Sequence, residues 1–282
     1  MEHFGVRLER AMRERGPLCV GIDPHTSLLE GWGLEATVAG LATFSQTVVD
    51  ALADRVAVFK PQSAFFERFG SAGIAVLEST IRQLREAGAI VLLDAKRGDI
   101  GSTMQAYAEA YLSSASPLFV DALTVSPYLG FGSLEPVLAE ARANRCGVFV
   151  LALTSNPEGG QVQRAHDSAG RTVAQTIVDE VARRNQGAVG LGDVGVVIGA
   201  TKGEGGDLGL DISQLGGPVL APGLGAQGAT AADLRIFSDL RGLVVPSYSR
   251  EILRHGPDVS GLWEAAQKTI DECRNVLDLA NS

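Results

Sequence analysis

The sequence predicts a (β/α)8 barrel, and three observations carry that expectation. The chain has 282 residues, the size of one α/β barrel of roughly 250 residues. Eight short apolar runs lie along it, each ending in polar or turn residues, as strands of a buried parallel sheet do. Helical patterns fill most of the intervals, and that alternation reads more simply as a barrel than as a doubly wound sheet.

In order, a helix over Phe4 to Glu14 precedes the first strand, Leu18 to Ile22. The amphipathic segment Leu34 to Ala53 leads to the second strand, Val56 to Phe59, and Gly73 to Ala87 leads to the third, Ile90 to Leu93. Ser102 to Leu112 precedes Ala122 to Val125, Leu134 to Ala143 precedes Val148 to Leu153, and Arg171 to Asn185 precedes Gly195 to Ile198. The sixth connection, Thr201 to Gly217, is poorly helical. Strand seven is Val219 to Ala221, followed by Ala229 to Ser238 and strand eight, Leu243 to Val245. A closing helix spans Ser260 to Leu279. Gly and Pro punctuate most joins, and no repeat or low-complexity linker divides the chain, so residues 1–282 read as one barrel domain with a helix capping each end.

Composition excludes several classes. With 45% hydrophobic and 20% charged residues, disorder and collagen-like structure are ruled out. No run approaches the ~20 apolar residues of a membrane span, and Met1-Glu2-His3-Phe4-Gly5 lacks the start of a secretory signal, which predicts a cytoplasmic protein. Cys19, Cys146 and Cys273 are odd in number and far apart, so neither a disulfide framework nor a metal knuckle is indicated. A net charge of −9 argues against a nucleic-acid surface; an anionic ligand has to meet a local positive site.

Chemistry in a barrel belongs at the C-terminal ends of the strands. The polar residues there are Asp23 after strand one, Lys60 after strand two, Asp94, Lys96 and Asp99 at strand three, Ser126 after strand four, Ser155 after strand five, Gln227 in the seventh loop and Arg250 in the eighth. Strand alternation puts Asp94 and Lys96 on one face, and Gly98 allows a turn that brings Asp99 back. An ammonium set between carboxylates keeps its proton for a very basic centre, whereas a Schiff-base lysine has to lose that charge. Two other readings stay open on this segment: a structural ion-pair network, and a Mg2+ site begun by Asp94 and Asp99. Of the four histidines only His25 lies near the rim, as a solvated loop residue. Tyr107 and Tyr111, one helical turn apart, read as helix packing or a dimer contact.

The seventh loop, Pro222-Gly223-Leu224-Gly225-Ala226-Gln227-Gly228, can offer backbone N–H groups to an anion. Ser249 is a candidate N-cap that sets Arg250 at a helix start, and the loops after strands seven and eight are the usual phosphate site of this fold.

These residues resemble the orotidine 5′-phosphate decarboxylase family, in particular its mycobacterial-type branch. The carriers are Pro17 to Pro24, Phe59-Lys60-Pro61-Gln62-Ser63-Ala64-Phe65-Phe66-Glu67, Asp94-Ala95-Lys96-Arg97-Gly98-Asp99-Ile100-Gly101, Ser126 to Gly132, Thr154 to Gly159 and Pro222 to Gly228. The resemblance implies loss of CO2 from orotidine 5′-phosphate to give uridine 5′-phosphate, without cofactor or metal, in a homodimer. It implies Lys96 as proton donor to carbon 6, Asp94 beside the substrate carboxylate, and Asp99, with Ile100 and Thr103, reaching the partner's site. Asp23 and Lys60 would hold ribose hydroxyls and the charge array, Ser155 (with Ser126 in reserve) the pyrimidine, and Gln227 and Arg250 the phosphate, with Pro222 in the closing loop. The Asp-x-Lys-x-x-Asp element is shared with metal-dependent phosphosugar aldolases and epimerases of the same barrel type, which are the alternative enzymes; a non-catalytic nucleotide-binding barrel is the third reading.

Overall fold

The computed structural model describes residues 2–200, 208–225, 228–240 and 244–277. Eight parallel strands close on themselves in sequence order: β1 (Cys19–Ile22), β2 (Val58–Pro61), β3 (Ile90–Arg97), β4 (Ala122–Val125), β5 (Gly147–Leu153), β6 (Val194–Ile198), β7 (Val219–Ala221) and β8 (Val244–Tyr248). β8 returns to β1 through Cys19 opposite Ser247 and Val20 opposite Tyr248. The predicted (β/α)8 barrel is therefore the fold, with Leu243 of the expected eighth strand outside the described residues.

The helices are α1 (Phe4–Arg15), α2 (Thr26–Gly31), α3 (Val38–Leu52), α4 (Ser63–Glu67), α5 (Gly70–Glu86), α6 (Gly101–Leu112), α7 (Glu135–Asn144), α8 (Gly160–Gln163), α9 (Val173–Asn185), α10 (Arg250–Leu253) and α11 (Val259–Leu277). Thr37 and Thr172 cap α3 and α9, their hydroxyls accepting N–H bonds from Gly40 and Gln175, which satisfies donors that a helix start leaves open. The interval expected as a helix over Ala229 to Ser238 is instead a run of 3-10 turns, Ala231–Leu240, broken at Phe237.

Strand alternation divides the core. Outward residues such as Val20, Ile22, Phe59, Val91 and Leu93 pack with Leu41, Phe44, Val48, Leu77 and Ile81 of the surrounding helices. Inward residues Cys19, Val58, Leu92, Ala122, Phe149, Val197, Leu220 and Val245 form a separate cluster, which Phe4, Leu8 and Met12 of α1 complete. Those three repeat every four residues, so one stripe of α1 seals the barrel floor. Phe4 stands edge-on to Phe149 at 6.1 Å between ring centroids.

Beneath the floor, buried Asp121 accepts from Arg7 Nη1 at 2.6 Å and from the Val91 N–H at 3.0 Å. Arg15 reaches across to the carbonyls of Ala53 and Ala87, at 3.1 and 3.2 Å, where α3 and α5 end. The barrel interior is thus apolar and clamped at the base, and turns polar only at the opposite mouth, where Lys60, Asp94, Thr124 and Ser247 are its buried polar side chains.

Candidate active site

The sequence places Lys60 beyond strand two and Asp94 at the end of strand three; both lie inside strands that run further than expected, β2 to Pro61 and β3 to Arg97. Their side chains meet at one carboxylate. Asp94 Oδ1 accepts from Lys96 Nζ at 2.6 Å and from the Thr124 hydroxyl at 2.9 Å, while Oδ2 accepts from Lys60 Nζ at 3.1 Å. Burial works against the charge on Asp94, but Lys60, Lys96 and these hydrogen bonds outweigh it and hold the carboxyl down at about 2. Burial likewise opposes the charge on Lys60, and Asp94 and Asp23 overcome it, so Lys60 stays an ammonium well above the ordinary lysine range. Lys96 differs in access: 44% of its side chain is exposed, against 8% for Lys60. One ammonium is buried scaffolding, and the other is presented to the mouth.

The turn that presents it is not made at Gly98. Lys96 itself has φ of +47°, an uncommon conformation for a residue with a Cβ. Gly98 is required for space, because a Cβ there would stand 2.5 Å from the Ser126 carbonyl oxygen. Asp99 is not folded back onto Lys96 within the chain; its Oδ1 accepts the Ile100 N–H at 2.8 Å. Arg97, next to Lys96, donates to the Tyr111 hydroxyl at 3.1 Å and to the Ala95 carbonyl at 3.2 Å, and its guanidinium carbon lies 5.5 Å from the Tyr107 ring centroid. The two tyrosines tie α6 to the end of β3.

Around this cluster the mouth holds buried polar atoms that have no hydrogen-bond partner among the described residues: Asp23 Oδ1, Gln62 Oε1 and Ser249 Oγ. Buried acceptors and hydroxyls left open are costly, and at a barrel mouth they suit the hydroxyls of a sugar. Gly21 lets Asp23 and Ser249 come together, since a Cβ there would lie 2.9 Å from Ser249 Cβ and 3.1 Å from Asp23 Oδ2. Ser155 is half-buried at the end of β5, and Ser126 half-buried after β4, its N–H bonded to the Arg97 carbonyl at 2.8 Å.

On the anion side, the Pro222 carbonyl accepts the Ala200 N–H at 2.9 Å, and the Gly225 N–H bonds the Ala229 carbonyl at 2.7 Å across the base of the seventh loop. Gly223, Gly225 and Gly228 all have positive φ. Gln227 lies outside the described residues. Ser249 occupies the N-cap position of α10 but makes no side-chain cap bond, and α10 is a single turn, so the exposed Arg250 guanidinium, more than a helix dipole, supplies the positive charge. His25 is not fully solvated as expected; it packs against Phe65 at 4.3 Å, and its burial lowers its pKa. Among the described residues no group of three or more His, Cys, Asp or Glu side chains is set to hold a metal ion. A cavity of about 360 Å³ at the barrel base, lined by His3, Cys146, Arg184 and Asp193 among others, lies away from this chemistry.

Sequence reasoning missed Thr124 and Gln62. Each lies two residues from one it did find, Thr124 from Ser126 and Gln62 from Lys60, and that spacing, which keeps the face in a strand, was the available signal.

Residues 16–261 match the family described as orotidine 5′-phosphate decarboxylase / HUMPS. The chain is 63% identical over 278 residues to the orotidine 5′-phosphate decarboxylase of Salinispora arenicola, covering 98% of this chain and 99% of that one, and 60% identical over 278 residues to that of Streptomyces coelicolor, with the same coverage. A crystal structure from Streptomyces avermitilis superposes with a TM-score of 0.95 at 59% identity, covering 99% of this chain and 97% of that one. The OMP decarboxylase structure from Leishmania donovani gives 0.76 at 28% identity, covering 98% of this chain and 100% of that one.

Proposed function

The chain belongs to the orotidine 5′-phosphate decarboxylase family and converts orotidine 5′-phosphate to uridine 5′-phosphate, the last step of de novo pyrimidine synthesis; from that premise we propose the roles its residues take. The observation that carries the reading is the single Asp94 carboxylate bonded at once by Lys96, Lys60 and Thr124.

In the reaction the bond from carbon 6 to the carboxylate breaks heterolytically. CO2 departs, and the electron pair stays at carbon 6 in the ring plane, where no carbonyl delocalises it. A fixed cation beside that carbon stabilises the charge as it develops; at 4 Å and an effective dielectric near 20, a unit charge contributes about 4 kcal/mol. Lys96 then transfers an Nζ proton to the pair, is left as the neutral amine, and recovers its proton from water. Asp94 lies beside the substrate carboxylate and directs Lys96, while Lys60 holds Asp94 ionised. Asp23 and Lys60 hold the ribose side, Ser155 faces the pyrimidine with Ser126 in reserve, and Pro222, Gln227 and Arg250 form the phosphate side.

The chain acts as one barrel domain without metal or cofactor, in the cytoplasm; among the described residues no helix is long and apolar enough to cross a membrane. It works as a homodimer in which Asp99, Ile100 and Thr103 reach the partner's site. Support comes from Ile100, Tyr128 and Leu129, which are 63%, 78% and 53% exposed on the loops after β3 and β4, and from Asp99 having no ion pair with Lys96 in its own chain. The metal-dependent aldolase or epimerase reading is not favoured, since the full-length relatives carry the decarboxylase name.

The test is the absorbance change of orotidine 5′-phosphate with purified protein in excess chelator, beside Lys96→Ala. Loss of the substrate band in the wild type alone supports the reading; turnover that stops with the chelator, or persists in Lys96→Ala, overturns it.

A further inference from the structure

The strand ladder between β3 and β4 pairs Leu93 with Leu123 and next pairs Arg97 with Val125. β3 advances four residues over the distance in which β4 advances two, so β3 bulges at the segment holding Asp94 and Lys96. Inside the bulge, backbone N–H groups lose their strand partners and need others. Thr124 supplies them. Its hydroxyl oxygen accepts the Ala95 N–H at 3.1 Å and the Lys96 N–H at 3.0 Å, and its proton goes to Asp94 Oδ1 at 2.9 Å. A hydroxyl has one donor and two acceptor sites, and all three are used here. The residue is 1% exposed, so water cannot take over these bonds.

We propose that Thr124 is a positioning residue for proton delivery: its hydroxyl locks the left-handed backbone at Lys96 and orients Asp94 so that one carboxylate oxygen meets the Lys96 ammonium. The proposal rests on the reading of Lys96 as proton donor. Its physical content is that a strained φ persists only where the surroundings over-determine it. Two N–H bonds to one buried hydroxyl, at Lys96 and at the residue before it, do so. The third bond fixes the rotation of the carboxylate that Lys96 Nζ follows. Without the hydroxyl, Lys96 would still carry its charge and the substrate would still find its phosphate and ribose contacts, but the ammonium would no longer be held at one place.

The experiment compares Thr124→Val, which keeps the shape and removes the hydroxyl, with Thr124→Ser, which keeps the hydroxyl and removes the methyl; Lys96→Ala is run alongside. Steady-state turnover of orotidine 5′-phosphate and thermal melting are measured for each. The expected result is a fall in kcat of roughly 10- to 100-fold for Thr124→Val with KM within about threefold of wild type, and kcat within about threefold for Thr124→Ser. A packing role predicts a different order, with the serine variant, lacking a buried methyl, the more impaired. Thr124→Val turning over within about twofold of wild type, or Thr124→Ser as slow as Thr124→Val, overturns the proposal. If the valine variant does not fold, Thr124→Ala replaces it, and equal kcat for Ser and Ala is the refuting result. Full activity in Lys96→Ala would overturn the underlying proton-donor reading; an inactive Lys96→Ala beside a fully active Thr124→Val would overturn the positioning role alone.

Discussion

Replacing Asp94 by Asn keeps the side-chain volume and removes the charge that two ammoniums share. The folded protein holds the Asp94 carboxyl at about 2 against an ordinary 3.8. At about 1.4 kcal/mol per pH unit, the ionised form contributes about 2–3 kcal/mol to the folded state at pH 7. Because the folded value lies below the unfolded one, this contribution is complete above about pH 4 and is lost as pH falls through about 2. The amide can still accept from Thr124, but Lys60, only 8% exposed, is left with Asp23 as its counter-charge, and breaking a buried pair costs about 3–5 kcal/mol when the remaining ion stays buried. Asp94→Asn should therefore be about 2–4 kcal/mol less stable at pH 7, the lower end applying where Asp23 compensates Lys60. Urea unfolding of both proteins at pH 7, 5, 4 and 3 measures the gap, which should hold to about pH 4 and then shrink to about half by pH 3. A gap under about 1 kcal/mol at pH 7, or one that does not change with pH, would show that the carboxylate does not hold the two lysines in the way the geometry indicates.

If the phosphate side is used as proposed, with remote binding energy spent on the reacting centre, Arg250→Ala should lower kcat/KM strongly and phosphite dianion should partly restore turnover of a substrate lacking the phosphate; steady-state rates with and without phosphite decide it, and no phosphite effect sinks the idea. Asp121→Ala strands Arg7 and the Val91 N–H at the barrel base, so denaturant unfolding should show a loss of about 3–5 kcal/mol with kcat/KM of the folded enzyme unchanged. Mixing Asp99→Ala with Lys96→Ala should restore about one quarter of wild-type activity, since half the dimers are mixed and each has one intact site of two; a mixture as inactive as its parents would place Asp99 in its own chain's site.

The strands were legible because a parallel barrel buries both faces, so runs such as Ile90 to Leu93 stand out from the polar residues around them. The same criterion stopped them too early: Lys60 and Asp94 read as strand ends, yet each is an inward position of a strand that continues, with opposite charges compensating there for burial. Lys96 was legible by type and spacing; its left-handed backbone was not, since nothing local distinguishes it and the partner that stabilises it, Thr124, is 28 residues away. Thr124 itself reads as an ordinary β-branched strand residue. The Ser249 cap was half legible, the position found but the hydroxyl left without its helix bond, because its backbone, at φ −133° and ψ −88°, lies outside the extended conformation that turns a cap side chain onto the helix.

The floor-sealing helix also decides how the molecule can be handled. His3 Nδ1 and the Gly5 N–H both meet Asp193 Oδ1 at 2.8 Å, so the chain is anchored from its third residue, on the end of the barrel opposite the mouth. A tether at the N-terminus therefore holds the molecule from the end opposite the mouth and leaves the mouth itself open. Trimming the same end past Phe4 would unplug the interior.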